Sequence, residues 1–167
     1  MSGVSVNRDA FMLTVTVPED LVGMPADGDG EWAAWLGLKS TTVAGRNAVV
    51  LVSISVTALN PPCGGPGASD EIAARLRARH PEPAARIERF TTRGGNPGVA
   101  IRRTVTQPVN GRDVTTGQAQ ALVAYPGAGA LGVVSGVALN PDDVDLAAVL
   151  VAGIAAEMTV TGAPAAA

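Results

Sequence analysis

The chain has 167 residues, 47% hydrophobic and 16% charged, and carries a net charge of −3. High hydropathy with low charge excludes a disordered chain, and the acidic balance leaves no electrostatic reason to expect nucleic acid as a partner. One cysteine, Cys63, rules out an internal disulfide, and only 3% aromatic residues imply a core of small aliphatic side chains packed in thin layers.

Residues Met1 to Asp9 show no basic segment leading into an apolar one and no lipobox-type cysteine, so no signal peptide is expected. Phe11, Leu13, Val15 and Val17 alternate with Met12, Thr14 and Thr16, the period of a half-buried strand, and Pro18 closes it. Glu19–Gly30 is rich in Gly, Pro and Asp and reads as a loop or a short irregular helix. Glu31–Leu36 then places Trp32, Trp35 and Leu36 on one face of a short helical turn.

A second strand is expected over Ala48–Leu59, with Val50, Val52, Ile54 and Val56 in alternation. The Pro- and Gly-rich stretch 60–67 leads into a helix over Asp70–Arg79, with Ser69 as its N-cap. Acidic residues at the start of that helix and basic ones at its end match its dipole. An antiparallel meander follows: Ile87–Thr92, Val99–Gln107, Val114–Tyr125 and Leu131–Leu139. Its turn signals are 94–98, Asn110-Gly111 and Pro126-Gly127, and short turns of this kind join antiparallel neighbours.

The last element is a helix. Asn140 caps it, Pro141 takes its first position, and Leu146, Leu150, Val151, Ile154 and Met158 recur at helical spacing. Ala138-Leu139-Asn140-Pro141 echoes Ala58-Leu59-Asn60-Pro61 at two strand-to-helix junctions, by coincidence, as one capping solution used twice, or by duplication. The whole is a single α+β domain over 1–161, about six strands with helices on their faces, and a flexible tail over 162–167. No apolar run reaches the roughly 18–20 residues of a membrane span, so a cytoplasmic protein without membrane insertion is expected.

Catalytic chemistry finds little support. His80, the lone histidine, stands at a helix end, and pairing it with Cys63 as a hydrolase dyad would leave neither side chain on an orienting element. Asp142, Asp143 and Asp145 sit at a helix start, which already accounts for two of them. Asp27, Asp29 and Glu31 alternate with glycines in a loop that would hold a calcium ion only weakly. Gly64-Gly65-Pro66-Gly67 is followed by no Lys-Ser or Lys-Thr, and Gly-x-Ser-x-Gly does not occur. No enzyme, cofactor or resident metal is therefore expected.

Two features favour binding. Trp32 and Trp35 gather both tryptophans beside an acidic loop, either as interface anchors or as packing against a sheet edge. Arg86, Glu88 and Arg102 lie on neighbouring strands, either as charge patterning of a sheet surface or as a polar docking face.

In the order of its elements the chain resembles the PsbP-like superfamily, which includes Mog-type import factors, photosystem subunits and actinobacterial LpqN-type lipoproteins. The resemblance is carried by Phe11–Pro18, Val50–Val56, Ala100–Thr104, Gln118–Val123, the Pro126-Gly127 turn and the closing strand and helix Val133–Met158. It implies an αβα sandwich around a twisted antiparallel sheet and a protein that binds other proteins without catalysis. The chain departs from the lipoprotein members in showing no signal peptide or lipobox. The expected function is a protein-binding adaptor or chaperone-like protein of a bacterial cytoplasm, binding through a Val- and Ala-rich sheet surface and open to homodimer formation by a sheet edge or face. The alternative is a structural subunit of a larger assembly or secretion complex.

Overall fold

Along Arg46–Ala58, Val50, Val52, Ile54 and Val56 are almost wholly buried, whereas Val49, Leu51, Ser53 and Ser55 between them are not. That alternation makes the segment a strand with one face on the main core. The computed structural model describes residues 2–8, 11–24, 35–58 and 67–162. Among them are strands β1 (Ser2–Arg8), β2 (Phe11–Val17), β3 (Leu21–Met24), β4 (Trp35–Val43) and β5 (Arg46–Ala58), then helix α1 (Ala68–Arg79). Next come β6 (Arg86–Thr91), β7 (Pro97–Val109), β8 (Arg112–Tyr125) and β9 (Ala130–Ala138), then α2 (Val144–Glu157) and β10 (Thr159–Gly162).

The strands form two sheets in which every pairing is antiparallel. One has seven strands in the order β3-β4-β5-β9-β8-β7-β6; the other has three, β1-β2-β10. The α+β class therefore stands, but about six strands was too few. Two tight hairpins set the register. Asn110-Gly111 joins β7 to β8, and Ala44-Gly45 joins β4 to β5, with all four residues at positive φ as a two-residue type I′ turn requires.

The helices pack on opposite faces of the large sheet. Ala119, Ala121 and Val123 of β8 share a core with Ala147, Val151 and Ile154 of α2, while Ala124 packs with Ala73 and Leu76 of α1. The three-stranded sheet joins the α2 side: Leu13, Val15 and Val17 belong to the same core as Val50, Val52 and Ile54. This layer is thus a helix beside a small sheet, unlike the helix-only outer layers of the expected αβα sandwich. Small residues let α2 come close. A Cβ on Gly136 would lie 2.8 Å from Cγ2 of Val151, and one on Gly117 would lie 2.8 Å from Cβ and 3.0 Å from Cα of Val144. Buried Tyr125 donates its hydroxyl proton to the carbonyl of Met158 at 2.8 Å, tying the end of β8 to the junction of α2 and β10.

Several expectations are corrected. Leu21–Met24 is a strand rather than loop or helix, and Trp35 and Leu36 open β4 rather than ending a helical turn. Pairing with β5 over nine residues decides the conformation of that segment, and it overrides the helical reading of its first two residues. Ser69 lies inside α1, whose N-cap is Gly67, with no side-chain capping bond. Asn140 does cap, its side chain accepting from the N–H of Asp142 at 2.9 Å, but the cap opens a 3₁₀ turn, Pro141–Asp143, that leads into α2. Gly162, placed in the tail, closes β10.

Candidate functional site

The outward positions of a sheet are usually polar where no helix covers them. Ser40, Ser53, Ser55 and Ser135 keep to that rule on the side away from α2, but one row does not. The register sets Val22 beside Leu38, Leu38 beside Leu51, and Leu51 beside Val137, an aliphatic row across β3, β4, β5 and β9 on the side away from α2. The row continues into β8 and β7 as Gln118 and Arg103, turning polar only there. Helix α1 lies on this side too, but its packing partners sit on β6, β7 and β8 and at Leu131, near the start of β9. Val22 is 64% exposed and Leu51 36%, and Leu139 follows in phase at the end of β9, 53% exposed. Among the described residues this row is partly exposed, which makes it the candidate interaction surface.

Trp35 is not part of that face. It pairs with Ile54 and so points to the α2 side, half-buried against the main core. Its indole lies across the Gly23–Gly37 pair, where a Cβ on Gly37 would meet the ring. The tryptophan covers two glycines at the β3 edge, as aromatic side chains do for glycine in sheets. Trp32 lies outside the described residues.

Arg86, Glu88 and Arg102 do come together, at the opposite edge of the large sheet. Arg86 stands directly across from Arg102, Glu88 across from Ala100, and all border a groove between β6–β7 and the flank of α2. Arg102 donates to Asp145 at 2.6 Å. Since β5, β9 and β8 intervene between β4 and β7, the tryptophan and the arginines form no single site.

His80 caps the C-terminus of α1, its N–H donating to the carbonyl of Leu76 at 2.8 Å. Burial, and then the Arg103 guanidinium, push its imidazole below the ordinary histidine value. Cys63, the proposed dyad partner, lies outside the described residues, as do Asp27, Asp29 and Glu31. Among the described residues no three His, Cys, Asp or Glu side chains gather as a metal site.

The acidic trio at the α2 start is divided by its partners: Asp145 serves Arg102, and buried Asp143 takes two hydrogen bonds from Arg46 at 2.6 and 2.7 Å. That fork holds the Asp143 carboxyl below its ordinary value, against a smaller opposing effect of burial. A depressed folded value stabilises above the unfolded carboxylate value of about 4 and ceases to as pH falls through the folded value. Asp143→Asn is therefore expected to lower the Tm by about 5 °C at pH 7, because it leaves the Arg46 guanidinium without its charge partner. The gap between variant and wild type should close as thermal melts are taken down through the acid range.

No protein-family model matches the chain, and no curated protein matches it by sequence. A match comes from solved structures. The crystal structure of LpqN, a protein involved in cell envelope biogenesis of Mycobacterium tuberculosis, aligns over 96% of this chain and 91% of that one with a TM-score of 0.56. The fold is LpqN-like. At 15% identity the likeness to LpqN is one of architecture, and it assigns no residue of the LpqN surface to this chain. The bare face and the arginine groove must be argued from their own side chains.

Proposed function

We propose that the chain is a non-enzymatic protein-binding adaptor or chaperone-like protein that receives its partner on the bare face of the seven-stranded sheet. One observation carries the reading. Of the large apolar side chains exposed among the described residues, Val22, Leu51, Val109, Val114 and Leu139 all fall on the side of their strands away from α2, and only Val149 belongs to the helix. Scattered exposure of single apolar residues is ordinary, whereas their collection on one side supports a partner surface, with Val109 and Val114 carried on the β7–β8 hairpin beyond its pairing with β9. The LpqN-like fold supports the further proposal that the chain is a PsbP-like relative.

The test is the double variant Leu38→Glu, Leu51→Glu. Two carboxylates on the row would have to be desolvated without partners in any apolar interface. Affinity capture from native lysate with quantitative mass spectrometry should show the same partner recovered at least tenfold less well, with far-UV circular dichroism unchanged. Undiminished recovery of that partner would remove the face from consideration. Sedimentation across a concentration series separates an adaptor, a monomer or exchanging dimer, from a subunit of an assembly whose mass stays fixed on dilution. The proposal keeps this binding in the cytoplasm. Cell fractionation that finds the protein with the envelope would move the role towards envelope biogenesis, the process in which LpqN is involved.

A further inference from the structure

The arginine groove lies on the other side of the sheet from the bare face and asks for a different ligand. Register places Arg86 and Arg102 as directly opposed partners on β6 and β7. Side chains so placed have Cβ atoms about 4.5–5.5 Å apart, and like charges there are destabilising. Arg102 is partly neutralised by Asp145, whose own side chain is 77% exposed. Arg86 has no ion-pair partner among the described residues. Two like charges directly across a strand pair oppose each other at this edge of the sheet, weakly because Arg86 is exposed.

The space around the pair is shaped. The two arginines form the shared wall of a groove of about 290 Å³, which runs on towards Thr104 and Val144, and of a smaller hollow of about 90 Å³. Ala100, Ala119, Ala148 and Ala152 line the hollow, and their small side chains leave it open, while the Glu88 carboxylate stands at its rim two residues along β6 from Arg86.

From this geometry we infer that the groove is a binding site for a small phosphorylated organic molecule. The phosphate sits between Arg86 and Arg102, and its organic body enters the alanine-lined hollow. A phosphomonoester carries close to two negative charges at neutral pH, which matches two guanidiniums, and its oxygens accept the paired N–H groups of a guanidinium fork. Asp145 is released towards solvent when the phosphate arrives, at small cost because an exposed ion pair contributes little. In such a site the ligand supplies the charge that the two opposed arginines lack.

Titration of the isotope-labelled protein with phenyl phosphate, followed by amide NMR, tests this. Saturable shifts are expected at residues 86, 102, 148 and 152, weakening as salt rises. Inorganic phosphate should bind the same residues several-fold less tightly, since it leaves the hollow empty. Arg86→Gln should weaken phenyl phosphate at least tenfold while leaving the urea midpoint unchanged or raised, because it removes like-charge repulsion. Ala152→Leu, at an exposed position on the rim, should erase the advantage of phenyl phosphate over inorganic phosphate and spare the latter. Shifts that never saturate, equal affinity in Arg86→Gln, or a clear fall in its urea midpoint would each overturn the assignment.

Discussion

Leu13→Ala is expected to cost about 2–5 kcal/mol of unfolding free energy, the range for a leucine truncated in a closed core. Leu13 is fully buried at the middle of β2, paired to β1 on one side and to Val160 of β10 on the other, and it belongs to the core shared with β5 and α2. Its removal opens a void where the small sheet meets the large one, and backbone paired on both sides cannot collapse to fill it. Urea unfolding should show the midpoint falling at an unchanged slope. Val22→Ala, at a position 64% exposed, is the control and should change stability by less than about 0.5 kcal/mol. A loss at Leu13 no larger than at Val22 would mean that the small sheet does not share the core.

Gly117→Val should destabilise by about 1–3 kcal/mol for the opposite reason, too much volume. A Cβ at this position lies 3.0 Å from Cα and 3.1 Å from N of Val144, so the conflict is with the backbone and no rotamer relieves it. The start of α2 must move. Asp143 precedes Val144 directly, so that movement also loosens the Arg46 fork, and combining Gly117→Val with Asp143→Asn should cost less than the sum of the two. Gly3→Val in β1, where nothing lies within 4 Å of an added Cβ, should be nearly silent in the same denaturation assay. Equal effects at Gly3 and Gly117 would show that strand propensity, not closeness to α2, sets the cost.

Where two local signals agreed, the sequence was readable. β2 has strict alternation and a closing proline, and the structure places it over the expected residues, Phe11–Val17. The β7–β8 hairpin has Asn-Gly at its turn, and α2 has a cap and a helical stripe. β4 had neither signal. Gly37, Lys39 and Ser40 blur its period, and its turn is Ala44-Gly45, where alanine takes a positive φ that composition does not announce. β3 has four residues and gains its conformation from pairing with β4. β1 was legible and missed, since valine and polar residues alternate over Gly3–Asn7. For the candidate sites, the outward strand positions were accessible from the run Val49–Val52, apolar in both phases of a strand. The opposition of Arg86 and Arg102 was not, because it depends on the register of two strands and no residue type reveals register.

The placement of β2 between β1 and β10 sets an order of events during synthesis. β1 and β2 are synthesised before every other described element and can form a hairpin, but an isolated hairpin is barely stable in water. Leu13, Val15 and Val17 have their lasting contacts with β5, α2 and Val160, all made later. At translation rates of about 5–20 residues per second, those three side chains wait on the order of ten seconds for their neighbours. The nascent chain therefore carries a sticky hairpin while β3 to β9 are made, and its yield in a cell depends on how well that hairpin is shielded until β10 arrives.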